Sequence, residues 1–357
     1  MKVVHLVTSL DFGGLERRME ILSLYPSIQN ELIFCALGKG GATYEKMLSY
    51  GSDVHLLECN PKVFNFSTYI KLRNFLKKQQ PKVLHTHGAE ANFYGSLAAV
   101  SLGIKIRVAE EIGIPNQSNI ARAVFSTVFR LPQAVIAMSP VVKDFLADNN
   151  IVKKEKIHLV YNPVLLSDKQ KESKNNKKVR FIFIGRLEEV KNPIGLLRAF
   201  HMLLSEHQDI ELTYVGEGQQ REEIELYIKT HNISEYVSCM GFSSDPLSIA
   251  LEHDVVVQPS HSEGFSLALV EAMSCGLPAI VTPVGSAVEL IGNNINGWVV
   301  SSSEDQAIFE GLKKSLEAEG RLLSMGNVAA DRVARNHDPK IYAEKLDDFY
   351  ISLGAKS

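Results

Sequence analysis

Residues 254–283 read "DVVVQPSHSEGFSLALVEAMSCGLPAIVTP" and contain one complete strand–helix–strand unit. The run at 254–258 is apolar on both pleat faces and ends in proline and serine, as a strand buried on both sides does. Ser266 is placed to cap a helix through "SLALVEAMSC", Gly276 to occupy its C′ position, and Pro278 to keep it from continuing. "PAIVTP" then supplies the next buried strand. A strand this apolar needs cover on both faces, which means a parallel sheet with crossover helices.

The same alternation runs outward along the chain. "KVVHLVTS", "KVLHTHG", "AVIAMS", "RFIFIGR" and "ELTYVGEG" all end in Gly, Ser or a cation and are separated by segments of helical length such as 193–206 and 219–231. It is interrupted once, at "SDKQKESKNNKK" (167–178), which is polar, basic and free of large apolar residues, as a linker is. Two doubly wound α/β domains are therefore expected. They span 1–165 and 178–335, joined by a linker at 166–177. A terminal helix at 336–357, with Ile341, Leu346, Phe349 and Tyr350 at helical spacing, is expected to pack back on the first domain. In open sheets of this kind ligands bind beyond the carboxyl ends of the strands, so the expected site is a cleft between two facing carboxyl edges.

At 357 residues, 45% hydrophobic and 22% charged, the chain has the balance of a globular protein with two cores. Its four cysteines form no C-x-x-C pair, which argues against a zinc ribbon or a disulfide framework and suits a reducing compartment. The opening apolar stretch is short for a signal peptide and no run reaches the ~20 residues of a spanning helix, so a cytoplasmic location is expected, at most on the inner face of the membrane. Charge is uneven. Residues 1–177 carry 23 Lys+Arg against 15 Asp+Glu, and residues 178–357 carry 15 against 26. Two bodies with different partners fit this asymmetry, and nucleic acid is not among those expected.

The chemistry-bearing motifs follow strands. In "IGRLEEVKNP", Gly185 permits close backbone approach, Arg186 follows on the loop, and Asn192-Pro193 opens a helix with Lys191 just ahead of it. An arginine, a lysine and a helix start together form an anion site suited to a diphosphate. Glu263 and Gly264 lie on the loop before the helix of the opening stretch, and Glu271 sits a turn and a half inside it among Leu267, Leu269, Val270 and Met273. A carboxylate in that setting is costly unless it has a partner, and a ribose diol would serve. Gly13 and Gly14 in "DFGGLERR" open a helix after the first strand, with Arg17 and Arg18 placed either toward an acceptor or in solvent. His85 and His87 in "HTHG" share side-chain parity, but no third metal ligand of clear spacing follows. "YVGEGQQR" fails as a dinucleotide fingerprint because Arg221 stands at the third glycine, so a nicotinamide enzyme is disfavoured. Gly216 there is expected to let the chain pass close to a nucleotide. "NIARAVFSTVFRLPQ" (119–133) mixes arginines with apolar residues, as a segment resting on anionic lipid does.

The two glutamates with seven residues between them in "EGFSLALVEAMSCGLPAIVT" resemble the signature of the retaining glycosyltransferases of family 4. "IGRLEEVKNPIGLLRAF", "LTYVGEG" and "MGF" stand in that family's order, and "DFGGLERR", "VLHTHG" and "VYNPV" resemble its N-terminal elements. The resemblance implies the GT-B architecture, two facing Rossmann-like domains. It implies that Arg186 and Lys191 bind the donor's diphosphate, that Glu271 holds the ribose and Glu263 the transferred sugar, and that Gly264, Phe265, Ser266 and Leu267 complete the donor pocket. It favours His87 over His85 as the contact near the reacting carbon. The expected activity is retaining transfer of a hexosyl residue from a nucleoside-diphosphate sugar, UDP favoured over GDP, to a glycan or glycolipid acceptor in cell-surface polysaccharide or lipopolysaccharide assembly. No D-x-D occurs in the chain, which agrees with catalysis that needs neither metal nor cofactor. A sugar-nucleotide epimerase and a non-catalytic sugar-nucleotide-binding protein are the rival classes.

Overall fold

The computed structural model describes residues 1–11, 13–61, 65–111, 126–169, 171 and 178–355. The chain divides into two units, Met1–Val164 with His337–Ser357, and Leu165–Asn336. The first is built on a seven-stranded sheet. In chain order its strands are β1 (Lys2–Val7), β2 (Glu31–Ala36), β3 (Asp53–Leu56), β4 (Val83–His87), β5 (Ile106–Glu111), β6 (Ala134–Ala137) and β7 (Ile157–Leu159). Their spatial order is β3-β2-β1-β4-β5-β6-β7, and every pairing is parallel. The second unit carries β8 (Val179–Ile184), β9 (Ile210–Val215), β10 (Val237–Cys239), β11 (Val255–Gln258), β12 (Ala279–Val281) and β13 (Gly297–Val299), ordered β10-β9-β8-β11-β12-β13 and again all parallel. Both are doubly wound Rossmann-like sheets, with the strand order reversing between β1 and β4 and between β8 and β11.

Burial explains why the sequence takes this form. β4, β6, β11 and β12 are buried at every position, so both pleat faces need cover. In the second unit Phe181, Phe183, Leu212 and Tyr214 pack with Leu196, Phe200 and Leu203 of the helix Pro193–Leu204. In the first unit Leu6, Ile33 and Leu84 pack with Leu72, Leu76 and Ala98 on one side.

Its other side is covered in part by the end of the chain. The helix Pro339–Ala355 sends Tyr342, Leu346, Tyr350 and Leu353, at steps of four, four and three, into a cluster with Val3, Val7, Ile106 and Val108. Polar ties fix it. Ser27 Oγ and Asn30 Nδ2 donate to Asp347 at 2.6 Å each, and the Tyr350 hydroxyl lies 2.7 Å from His85 Nδ1. No helix among the described residues is long and apolar enough to cross a membrane.

Because Leu346 is buried within that cluster, Leu346→Ala should destabilise the first unit by about 2–5 kcal/mol, the range for a truncated core leucine. Chemical denaturation followed by circular dichroism checks this, and an unchanged midpoint would show that the helix is not part of the folded core.

Candidate functional site

Where the strand order reverses, the chains leaving neighbouring strands turn to opposite faces and leave a crevice at the carboxyl edge. In the second unit that edge joins the loop after β8 to the loop after β11. The β8 loop begins at Gly185, with φ 155°, and carries Arg186 into a single 3₁₀ turn, Glu189–Lys191. Asn192 then caps the next helix from a left-handed conformation, φ 55°. Its Oδ1 accepts from Gly195 N at 3.1 Å, and its Nδ2 donates to Ser303 O at 2.8 Å. Lys191 is thus held on a short turn anchored at its far end.

The β11 loop runs into the helix Leu267–Ser274. Ser266 caps it, its hydroxyl accepting from Leu269 N at 3.3 Å and donating to Gln258 Oε1 at 2.7 Å. The two loops are joined at two points. His261 N donates to Val190 O at 2.9 Å, and Lys191 Nζ forms an ion pair with Glu263 Oε2. Both side chains of that pair are only 14% exposed, so each charge depends on the other or on a ligand for compensation. A third loop braces the acid: Gly285 has φ 56°, a Cβ there would collide with Glu263 O, and Ser286 N donates to Gly264 O at 3.1 Å.

Arg186 and Glu271 flank this pair differently. The Arg186 side chain is 62% exposed and bonds Glu188 Oε1 at 3.0 Å. Glu271 is buried in the Leu267–Ser274 helix, whose Leu269, Val270, Ala272 and Met273 are buried with it. Gly264, Phe265, Ser266 and Leu267 lead directly into the helix start, where free backbone N–H groups favour an anion. A cation, two carboxylates and a helix start therefore belong to one sheet edge. That set suits a ligand with a negative centre and hydroxyl groups on either side of it. Gln258, His261, Ser303 and Gly285, which hold this geometry, carry no signal in sequence. Their partners lie on loops that only the strand order brings together.

Gly216 lies against the loop after β8. The space its side chain would need is filled by the Gly185 carbonyl, at φ 144°. Gly218 likewise abuts the Leu187 backbone, Leu187 N donates to Glu217 O at 2.9 Å, and Gln220 N donates to Leu187 O at 2.9 Å. These glycines admit the neighbouring loop.

In the first unit Gly13 and Gly14 begin the helix Gly14–Leu24. The place of a Gly13 side chain is taken by the Glu16 carboxylate, which accepts from Ser9 Oγ at 3.0 Å. Arg18, read from sequence as an acceptor contact or a solvated cation, is 1% exposed. It forms an ion pair with Glu110 on β5 and donates to Asn162 Oδ1 at 2.8 Å.

Glu110 also takes His87 Nδ1, and His87 Nε2 lies 2.9 Å from His5 Nδ1. His87, the expected sugar contact, is fully buried with both ring nitrogens engaged. The third imidazole missing from the local sequence is His5, which stands opposite His85 in the β1–β4 register. One nitrogen from each of the three rings lies within 4.8 Å of the others. A metal fits this set poorly, since two of those rings bond each other and the Arg18 guanidinium stands 3.1 Å from His87 Nδ1. Burial holds all three rings neutral. It lowers His5 to about 3 and brings His85 and His87 well below the ordinary imidazole range. His87 contributes further to the lowering at His85, and Arg18 to that at His87.

The expected lipid-contacting segment, 119–133, falls partly outside the described residues. Within its described part Val128 and Phe129 are 4% and 2% exposed and belong to the core.

Comparison with known proteins places both halves of the chain among glycosyltransferases. Residues 12–168 match the family model described as Glycosyltransferase Family 4, and residues 166–332 match that described as Glycosyl transferases group 1. The chain is 27% identical, over 95% of its length and 97% of the relative's, to an N-acetylgalactosamine-N,N'-diacetylbacillosaminyl-diphospho-undecaprenol 4-alpha-N-acetylgalactosaminyltransferase of Campylobacter jejuni. It is 23% identical to a UDP-Gal:alpha-D-GlcNAc-diphosphoundecaprenol alpha-1,3-galactosyltransferase of Escherichia coli, over 81% of this chain and 80% of that one. Among solved structures, Anabaena HepE in complex with UDP superposes with a TM-score of 0.86 at 18% identity, covering 99% of this chain and 100% of its own. Such likeness identifies the fold as GT-B.

Two outcomes follow from the buried cluster. Arg18→Ala leaves Glu110 without its cation and should cost about 3–5 kcal/mol in equilibrium denaturation. Acid should destabilise the first unit. The three histidines are neutral when folded and ionise when unfolded, so stability is full above the unfolded value near 6.5 and falls as pH drops below it, toward about 3 for His5. Each contributes at most about 1.4 kcal/mol per pH unit. A melting temperature that stays flat from pH 7.5 to 4.5 would contradict the neutral assignment.

Proposed function

We propose that this chain, which belongs to glycosyltransferase family 4, moves a hexosyl residue from a nucleoside-diphosphate sugar to a hydroxyl of a lipid-linked cell-surface glycan. A UDP-sugar is the favoured donor, and the anomeric configuration is retained. The observation that carries the proposal is the largely buried Lys191–Glu263 pair on the carboxyl edge of the second sheet, between two capped helix starts. A partly desolvated pair at a crevice is poised to exchange partners. The ammonium can pass to a diphosphate and the carboxylate to sugar hydroxyls, each as well compensated as before.

In this reading the second unit holds the donor and the first the acceptor. Lys191 and Arg186 take the diphosphate, Arg186 turning from Glu188 on its exposed loop. The N–H groups at Ser266–Leu267 add their dipoles. Glu271, four residues into its helix, holds the ribose hydroxyls, and Glu263 orients the transferred sugar. As the bond from the anomeric carbon to the phosphate oxygen breaks, positive charge develops on the sugar and negative charge on the leaving diphosphate. Lys191, Arg186 and the helix start stabilise that leaving charge, so the reading needs no metal. The acceptor oxygen attacks from the same face, and its proton passes to the departing phosphate oxygen. No side chain of this edge is assigned as a covalent nucleophile. The undecaprenol-linked substrates named for the two relatives support a lipid-linked acceptor, and UDP in the HepE structure supports the choice of base.

Purified Lys191→Ala should lose about 10²–10³ in kcat, the range for removing one group that stabilises developing charge. Near-normal transfer by that variant would remove the diphosphate assignment. Excess EDTA should leave activity unchanged, and loss restored by Mg²⁺ would contradict metal independence. Incubation with donor alone should yield no isomerised sugar, an outcome that separates transfer from epimerisation.

A further inference from the structure

The helices Phe66–Gln79 and Ala89–Ser101 pack side by side against the first unit's sheet. The first buries Thr68, Leu72 and Leu76, at steps of four, and turns its other side outward. A solvated helix would present a polar face there. This one presents Phe66, 74% exposed, and Ile70, while its neighbour adds Leu97 and Val100. Where the two helices begin lies a hollow of about 390 Å³ walled by Phe66, Tyr69, Phe93, Tyr94 and Leu97. The Tyr94 hydroxyl is occupied with Asn65 N at 2.8 Å.

At the other end of the same seam, roughly 12 Å further along the first helix from Tyr69 to Lys77, is a second hollow of about 680 Å³. Leu76, Leu102 and Ile104 line it together with Lys77, Lys82 and Lys105. Residues 66–107 hold seven lysines and arginines and one acid, Glu90, which accepts from Thr8 Oγ1. An apolar, aromatic hollow and a lysine-lined one thus share a face that carries almost no negative charge.

We propose that this face docks the protein on an anionic phospholipid bilayer. Phe66, Ile70, Leu97 and Val100 enter the boundary between headgroups and acyl chains, and Lys77, Lys82 and Lys105 meet lipid phosphates. Aromatic residues with one polar end suit that boundary, and lysine stems can lie along it with their ammonium groups at the phosphate level. Charge complementarity selects this partner over an uncharged membrane. The inference rests on the reading of a lipid-linked acceptor, to which it adds the surface that reaches it. It replaces segment 119–133, whose Val128 and Phe129 are buried.

The test is flotation of the full chain with vesicles of phosphatidylcholine alone or with 30% phosphatidylglycerol, at about 0.1 M salt. Binding is expected only to the anionic vesicles. The triple variant Lys77→Gln, Lys82→Gln, Lys105→Gln should weaken it about a hundredfold, and Phe66→Ser with Leu97→Ser at least tenfold. Lys229→Gln with Lys314→Gln, on the second unit, should bind as the parent does. All these positions are exposed, so melting temperature and UDP-induced stabilisation should match the parent. Vesicle binding that is absent, or unchanged in the face variants, overturns the proposal. So does a concentration-dependent dimer that the Phe66→Ser variant dissociates, because the face is then covered by a second copy. Transfer to a soluble short-chain acceptor without vesicle binding sinks the docking surface alone. Vesicle binding without transfer sinks the proposed activity alone.

Discussion

Lys191 and Glu263 are 72 residues apart and meet because the strand order of the second sheet reverses between β8 and β11. That reversal is the constraint on which the site depends. It sends the two following loops to the same carboxyl edge and leaves room between them for a ligand. The loops are then held by short, local means. Asn192 and Ser266 cap the helices that follow, His261 bonds across to Val190, and Gly285 admits the β12 loop against Glu263. The pair closes the junction of the two loops, each charge compensated by the other.

The two units use buried charge for opposite ends. In the second, the Lys191–Glu263 pair lies on a loop edge and keeps some exposure, as the proposed exchange of partners requires. In the first, Arg18 and Glu110 are sealed under β1, β4 and β5 with three neutral imidazoles and Asn162. Nothing there can turn outward without unpairing a buried charge. His87 stands at the end of β4, where a ligand contact was anticipated, yet its two nitrogens serve the core. Its bonds to Glu110 and His5 bind β4 to β5 and, across the reversal in the first sheet, to β1.

Much of this was legible in sequence, for a physical reason. β6, β11 and β12 are nearly unbroken apolar runs because both faces are covered, and β1, β8 and β9 interrupt theirs only once or twice. Caps such as Asn192-Pro193 and Ser266 act within three residues, so local sequence displays them. β2, β3, β5, β7, β10 and β13 went unread, and four of these run to only three or four residues, too short to show a period. The histidine cluster escaped because His5 joins His85 only through the β1–β4 register. Arg18 was misplaced for the same reason, its acid lying 92 residues away. Gly216 looked like a ligand's glycine. The need for φ > 0 was readable, but the identity of what approaches it was not.

The account turns on whether Lys191 and Glu263 exchange each other for donor, and calorimetric titration of the two single variants measures this directly. Glu263→Gln releases the ammonium, so it should bind free UDP more tightly than the parent while binding the UDP-sugar no better. Lys191→Ala should lose affinity for both. Equal affinities of parent and both variants for UDP would mean that the pair is a structural brace and that the diphosphate binds elsewhere.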